Sequence, residues 1–365
     1  MRRLSGRIRP YAWGSRTAIA RLQGRPAPTE GPEAELWLGA HPGDPATVDG
    51  ASLADLIAGE PEGVLGGAVV ARFGPRLPYL MKVLAAAAPL SLQAHPDAEQ
   101  ARERFAAGHP SYVDAYHKPE LLVAVSDFEA LCGFRDPAAS AAALSTLDAP
   151  GLEPAVAALG RGDLRAAMAD LIALPAAVVT EAAAASGAPA LVRRLAAAYP
   201  GDPGVLVALL LNHVTLAPGE AIWMPAGNLH AYLDGTGVEI MAASDNVLRG
   251  GLTPKHVDVP ELLRVLRFEV LADPVVRPER VGPGIVTWPA PVEEFALHQV
   301  RPTTGAVVLP VLGPRVVICL AGDLVVDDGA GEVALASGEA AFATHGPAAL
   351  TFVGSGEAYV ASVPA

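Results

Sequence analysis

The sequence predicts a mainly β protein with a helical insertion: two jelly-roll β domains and one α-helical domain. Three observations predict this. Residues 1 to about 127 are short apolar runs broken at intervals by Gly and Pro, as in sandwiches and barrels. An alanine-rich stretch with helical spacing follows. From about Asp273 onward the chain returns to short strand-like runs with almost no helical period.

In the first part, Pro10, Gly14, Gly31-Pro32, Pro42-Gly43 and Gly74-Pro75 punctuate runs such as Glu35-Leu-Trp-Leu38 and Leu80-Met-Lys-Val-Leu84. A helix is interleaved at Ser52 to Ala58, where Ser52 can cap. Between Pro137 and Ala198 alanine dominates, β-branched residues thin out, and Asp163 to Ile172 has helical spacing. Pro175, Pro189 and Pro200 divide it into helices of ordinary length. Strand signals return at His213-Val-Thr-Leu216 and continue through Asp245. The expected division is a discontinuous catalytic domain of residues 1–127 and 205–265, a helical insertion of 128–204, and a C-terminal domain of 266–365.

Composition narrows the function. Hydrophobic residues make 51% and charged residues 18%, so a large core is available and disorder is excluded. A net charge of −13 argues against a nucleic-acid partner. No apolar run approaches the ~20 residues of a membrane span, and no signal peptide is visible after Met1. Cys132 and Cys319 cannot make a disulfide framework, which fits a reducing cytoplasm. A monomer or weak homo-oligomer is the expected state. Of the 26 basic residues only Lys82, Lys118 and Lys255 are lysine. In a chain biased toward Arg and Ala, a surviving lysine marks a place for a compact charge rather than a planar fork.

The segment from Gly219 to His230 has the spacing G-x5-P-x-G-x2-H, the second signature of the cupin jelly roll, with Asp234 where that pattern ends in Asn. The usual H-x-H is replaced by Ser91-Leu-Gln93-Ala-His95-Pro96, followed by His117-Lys118-Pro-Glu120. Residues two apart on a strand face one side, so Gln93 and His95 can reach the same ion. With Glu120 and His230 they form an N/O donor set without thiolate, which suits Zn2+, one per chain.

These blocks, together with Tyr11-Ala-Trp13-Gly-Ser15, Glu35 to His41, Lys82-Val-Leu84, Leu131-Cys-Gly-Phe134 and Ser244 to Lys255, resemble the type I mannose-6-phosphate isomerases (phosphomannose isomerases) of the cupin superfamily. The matching blocks run in the family's order from Tyr11 to about Leu263, and Tyr116 departs from a common Asn. The resemblance implies two cupin-like jelly rolls with a helical insert, and zinc held by Gln93, His95, Glu120 and His230. The C-terminal domain has only a faint echo of the pattern in Gly338 to His345, so it is expected to be metal-free, with His298 and His345 structural.

The family reaction interconverts mannose 6-phosphate and fructose 6-phosphate through a cis-enediol, in mannose metabolism ahead of GDP-mannose. Zinc acts there as a Lewis acid, and Arg249 adds fixed positive charge beside the developing oxyanion. Asp245, Glu239, Lys118 and a zinc-bound hydroxide all remain open as the base. Trp13 and Tyr232 are expected sugar-site walls. Ser91, Lys82 and Lys255 are expected to meet the phosphate, with Lys118 nearer the sugar and the metal. Two readings from other classes compete: a two-histidine, one-carboxylate iron oxygenase, and a non-catalytic sugar-binding cupin. The grouping of the lysines in motif blocks favours an anionic substrate over the oxygenase.

Overall fold

One strand, His230–Ala242, organises the half of the molecule that holds the motif residues. Its first part pairs with Phe128–Phe134 and meets Gln93 across from His230. Its second part lies between Tyr79–Ala86 and Glu120–Ala124. The change of partners falls at Gly235, whose φ is +119°. A Cβ there would sit 2.6 Å from the Asp127 carbonyl oxygen, so only glycine fits. Metal-ligand strands on both sides of this bend therefore face one interior.

The structure, a computed structural model, describes residues 1–303, 305–346 and 349–364. Among these, strands form two antiparallel sheets of eleven strands each. The motif-bearing sheet runs from Val275–Val276 through Ala221–Met224, Glu120–Ala124, His230–Ala242, Tyr79–Ala86 and Glu35–Leu38 to Arg7–Arg9. Tyr79–Ala86 is buried at all eight positions, so its sequence is nearly continuous in apolar residues, and Lys82 is its one charge.

The second sheet is centred on Arg315–Asp327 and Leu350–Ser362. Its edge is completed by the start of the chain, with Arg2–Ser5 paired to Ala340–Ala343. The two sheets share one core, in which Tyr79, Met81, Val238 and Ile240 meet Trp288, Phe295, Val316 and Tyr359. The Tyr79 hydroxyl donates across it to the Pro314 and Ala361 carbonyls, at 2.9 and 3.2 Å.

Between the sheet strands, five helices run from Pro137–Ser145 to Ala190–Ala198. Asp136 and Asp163 accept from backbone N–H groups as N-caps, and Pro175 and Pro189 start the last two helices. Leu144, Leu171 and Val192 pack with Phe134 and Leu248 of the sheet and with Leu229 just before His230, so the helices are joined to the site-bearing layer. Several strands cross the expected division: Val275–Val276 joins the motif-bearing sheet, and Thr47–Val48 and Ala51–Ser52 join the other. Phe128–Phe134, placed by sequence in the insertion, is a strand of the motif-bearing sheet. Arg2–Ser5, placed in the first domain, belongs to the distal sheet. Phe128–Phe134 pairs with His230–Ala242, and Arg2–Ser5 pairs on one side with Ala340–Ala343, partners remote in sequence where local pattern carries no information.

Candidate metal centre and substrate cavity

His95 follows the strand Leu92–Ala94, Glu120 opens Glu120–Ala124, and His230 opens His230–Ala242. The Pro225 to Asn228 turn brings His95 and His230 together. Gly227 there has φ +78°, its N–H donates to the His95 carbonyl at 2.8 Å, and a Cβ would meet the Val265 carbonyl oxygen at 2.9 Å. The expected glycine and proline thus fix the approach of one histidine segment to the other.

All three side chains are buried. Nδ1 of His95 lies 2.7 Å from the Asn246 carbonyl oxygen, and Nδ1 of His230 lies 3.1 Å from that of Asn228. A carbonyl only accepts, so Nδ1 carries the proton in each ring and Nε2 presents a lone pair. The two Nε2 atoms stand 3.4 and 3.2 Å from Glu120 Oε2. Ligand atoms about 2.0 Å from a tetrahedral zinc are separated by roughly 3.3 Å. His95 Nε2 has no hydrogen-bond donor. Three acceptors aimed at one point repel unless a cation lies between them, so the donor set fits zinc.

Burial lowers the His95 pKa, keeping the ring neutral. Burial alone would raise that of Glu120, but Lys118, His95 and His230 outweigh it and hold the carboxyl well below its usual range. Lys118 Nζ is 3.0 Å from Glu120 Oε1, the oxygen turned away from the histidines. Gln93 is level with His230 on one neighbouring strand and with Arg249 on the other. It lines the same cavity as Glu120 and His230.

That cavity is about 570 Å³ and has every remaining expected residue on its wall: Trp13, Lys82, Ser91, Lys118, Tyr232, Glu239, Asp245, Arg249 and Lys255. Their surroundings differ. Lys82 Nζ lies 2.9 Å from Glu239 Oε2 and 3.5 Å from Glu35 Oε1. Burial would lower its pKa, but Glu239, Glu35 and Glu120 outweigh that and raise it. Two carboxylates on one ammonium leave no net positive charge at Lys82 for a dianion. Glu239 Oε1 accepts from the Tyr232 hydroxyl at 2.7 Å, so both oxygens are engaged. Tyr232 is buried with Phe128 against its ring, and its hydroxyl fixes Glu239.

Arg249, Lys255 and Ser91 form no ion pair or side-chain hydrogen bond among the described residues, which leaves two free cations on the cavity wall. Asp245 is exposed at the cavity edge, and its Oδ2 accepts from His41 Nε2 at 2.8 Å. The Gly43 N–H donates to His41 Nδ1 at 3.1 Å, which places the proton on Nε2. His41 was not singled out by sequence reasoning, although it ends the quoted block Glu35 to His41. The same holds for Asn246, fully buried. Its carbonyl orients His95 while its amide oxygen accepts from the Val113 N–H and its amide nitrogen donates to the Tyr116 carbonyl. In the C-terminal half, His298 is largely buried with its pKa lowered to about 4. The His345 N–H donates to the Val64 carbonyl.

A family model described as the phosphomannose isomerase type I catalytic domain matches residues 1–137. The mannose-6-phosphate isomerase of Shigella flexneri is 36% identical over 98% of both chains. That of Homo sapiens is 34% identical over 80% of each. A solved zinc-bound mannose 6-phosphate isomerase superposes with a TM-score of 0.90 at 34% identity, over 100% of this chain and 99% of the other. A phosphomannose isomerase variant from Salmonella typhimurium reaches 0.92 at 34% identity, over 100% of both. Identity of this order, continuous from the first strand through the distal sheet, makes the chain a member of the type I phosphomannose isomerase family.

Proposed function

We propose that the protein is a zinc-dependent aldose–ketose isomerase that interconverts mannose 6-phosphate and fructose 6-phosphate through a cis-enediol. The observation that carries this is the convergence of His95 Nε2, His230 Nε2 and Glu120 Oε2 at the wall of a cavity that also holds unpaired cations. An oxygenase would have no use for those cations. Relatives named mannose-6-phosphate isomerase and a zinc-bound structural neighbour support the isomerase.

His95, Glu120 and His230 would hold the metal, with Gln93 as a fourth donor. Zinc, when bound, supplies a Lewis acid that polarises the sugar carbonyl. Lys118 neutralises Glu120 and keeps it ionised. Arg249 presents a permanent charge to the oxygen that becomes negative as the proton leaves carbon. Asp245 is the base we assign. Its Oδ2 is tied to His41, its other oxygen is open, and it stands on the cavity edge. Ser91 and Lys255 receive the phosphate, and Trp13 flanks the sugar. The direct test is conversion of mannose 6-phosphate to fructose 6-phosphate in a coupled assay, abolished by chelation and restored by Zn2+. Binding of the sugar without turnover would leave the non-catalytic cupin in its place.

A further inference from the structure

The helical insertion leaves its last helix, Ala190–Ala198, at Tyr199, and the chain turns through Asp202 into Gly204–Val207. This exit turn touches two segments of the cavity wall. The Tyr199 hydroxyl donates to the Pro89 carbonyl at 2.7 Å, two residues before Ser91. Asp202 Oδ1 accepts from the Leu252 N–H at 2.9 Å, and its Oδ2 from the Thr253 N–H at 3.0 Å. The Gly204 N–H also donates to Oδ1, at 2.7 Å, so the carboxylate is fixed by its own turn. Thr253 Oγ1 then accepts from the Lys255 N–H at 3.1 Å.

The contact is close at the backbone. A Cβ on Gly204 would fall 2.6 Å from the Leu252 nitrogen, and one on Gly251 would fall 2.6 Å from Gly204 Cα. Leu252 holds φ +54°, a left-handed conformation unfavourable for leucine unless its surroundings impose it. Two charge-assisted hydrogen bonds from the Leu252 and Thr253 N–H groups to one carboxylate do so. Lys255 itself is exposed on a flexible stem, and its direction depends on this turn.

We propose that Asp202, seconded by Tyr199, is a positioning residue for the substrate's phosphate. The exit turn of the helical insertion holds the Leu252 to Lys255 turn and the Pro89 to Ser91 segment at one spacing, so that Lys255 and Ser91 meet the same phosphate group. This rests on the assignment of Lys255 and Ser91 to the phosphate. It gives the insertion a share in substrate recognition without a residue in the chemistry.

The test is a double-mutant cycle on the zinc-loaded enzyme with Asp202→Ala and Lys255→Met, reading KM, kcat, inhibition by inorganic phosphate and zinc content. Asp202→Ala should raise KM for mannose 6-phosphate about tenfold and weaken phosphate inhibition in parallel, with kcat within about twofold and zinc unchanged. In the Lys255→Met background the same substitution should raise KM little further, because the group it positions is gone. Tyr199→Phe should repeat the pattern at smaller amplitude. Equal effects of Asp202→Ala in both backgrounds, or a fall in kcat with KM unchanged, overturn the positioning role. If Lys255→Met alone leaves KM and phosphate inhibition unaltered, the phosphate assignment has failed, and the proposal fails with it. Should Asp202→Ala not fold, Asp202→Asn replaces it in the same cycle, since it keeps an acceptor for Leu252 and loses the one for Thr253.

Discussion

His41 Nε2 lies 2.8 Å from Asp245 Oδ2, across 204 residues of sequence. The bond ties the segment after Glu35–Leu38 to the segment after His230–Ala242, at the edge of the substrate cavity. It also fixes which carboxylate oxygen remains open.

His41→Leu is expected to move the acid limb of kcat/KM to higher pH. The hydrogen bond from His41 is the largest cause holding the Asp245 pKa below its ordinary value. A depressed carboxylate stays ionised further into acid, so releasing it lets the proton bind at higher pH. A pH–rate profile checks this, and an acid limb that stays in place removes Asp245 as the group that must be ionised.

Glu239→Gln is expected to cost stability. Lys82 and Glu239 face each other across two strands and are both buried. Removing the Glu239 charge leaves the buried Lys82 ammonium with Glu35 alone, at 3.5 Å, at a cost of about 2 kcal/mol. Denaturant melting reads the loss. A variant as stable as the parent but with kcat lowered several hundredfold would return Glu239 to the role of base.

The ionised Glu261 should make folding acid-sensitive. Burial would raise its pKa, but hydrogen bonds from Arg104, Tyr112 and Arg264 bring it to about 2. Its folded pKa is depressed, so its stabilising contribution is complete above the ordinary carboxylate value of about 4.3 and fades as pH falls toward 2. Melting of Glu261→Gln against pH should show a shallower slope across that window than the parent. Parallel curves would assign the acid sensitivity to other groups.

Lys255→Met is expected to raise KM for mannose 6-phosphate while leaving zinc content unchanged and any activity on unphosphorylated mannose unaffected. A phosphate ester carries close to two negative charges at neutral pH, and a chain of net charge −13 repels it at long range. Equal losses on both substrates would place Lys255 in the fold or the chemistry instead.

The convergence of His95, Glu120 and His230 was legible because a zinc site demands particular donor types at spacings that strand and turn geometry fix, as in Ser91 to Pro96 and the Gly219 to His230 segment. Lys82 was singled out by its rarity, but its two carboxylate partners were not foreseen. Glu35 and Glu239 reach it only through the register of three strands, which no local pattern encodes. The entry of Arg2–Ser5 into the distal sheet was hidden for the same reason, since Ala340–Ala343, the partner that joins it to that sheet, lies at the other end of the chain. Asn246 and Asp202 act through backbone groups of distant loops, so their residue type alone carried no signal.

The most direct measurement is a titration of chelator-treated enzyme with Zn2+ while conversion of mannose 6-phosphate is followed. Activity should rise in proportion to added metal, reach a plateau at about one zinc per chain, and fail to return in His230→Ala. Turnover without metal, or wild-type activity in His230→Ala with a full complement of zinc, would contradict a catalytic metal held by His95, Glu120 and His230.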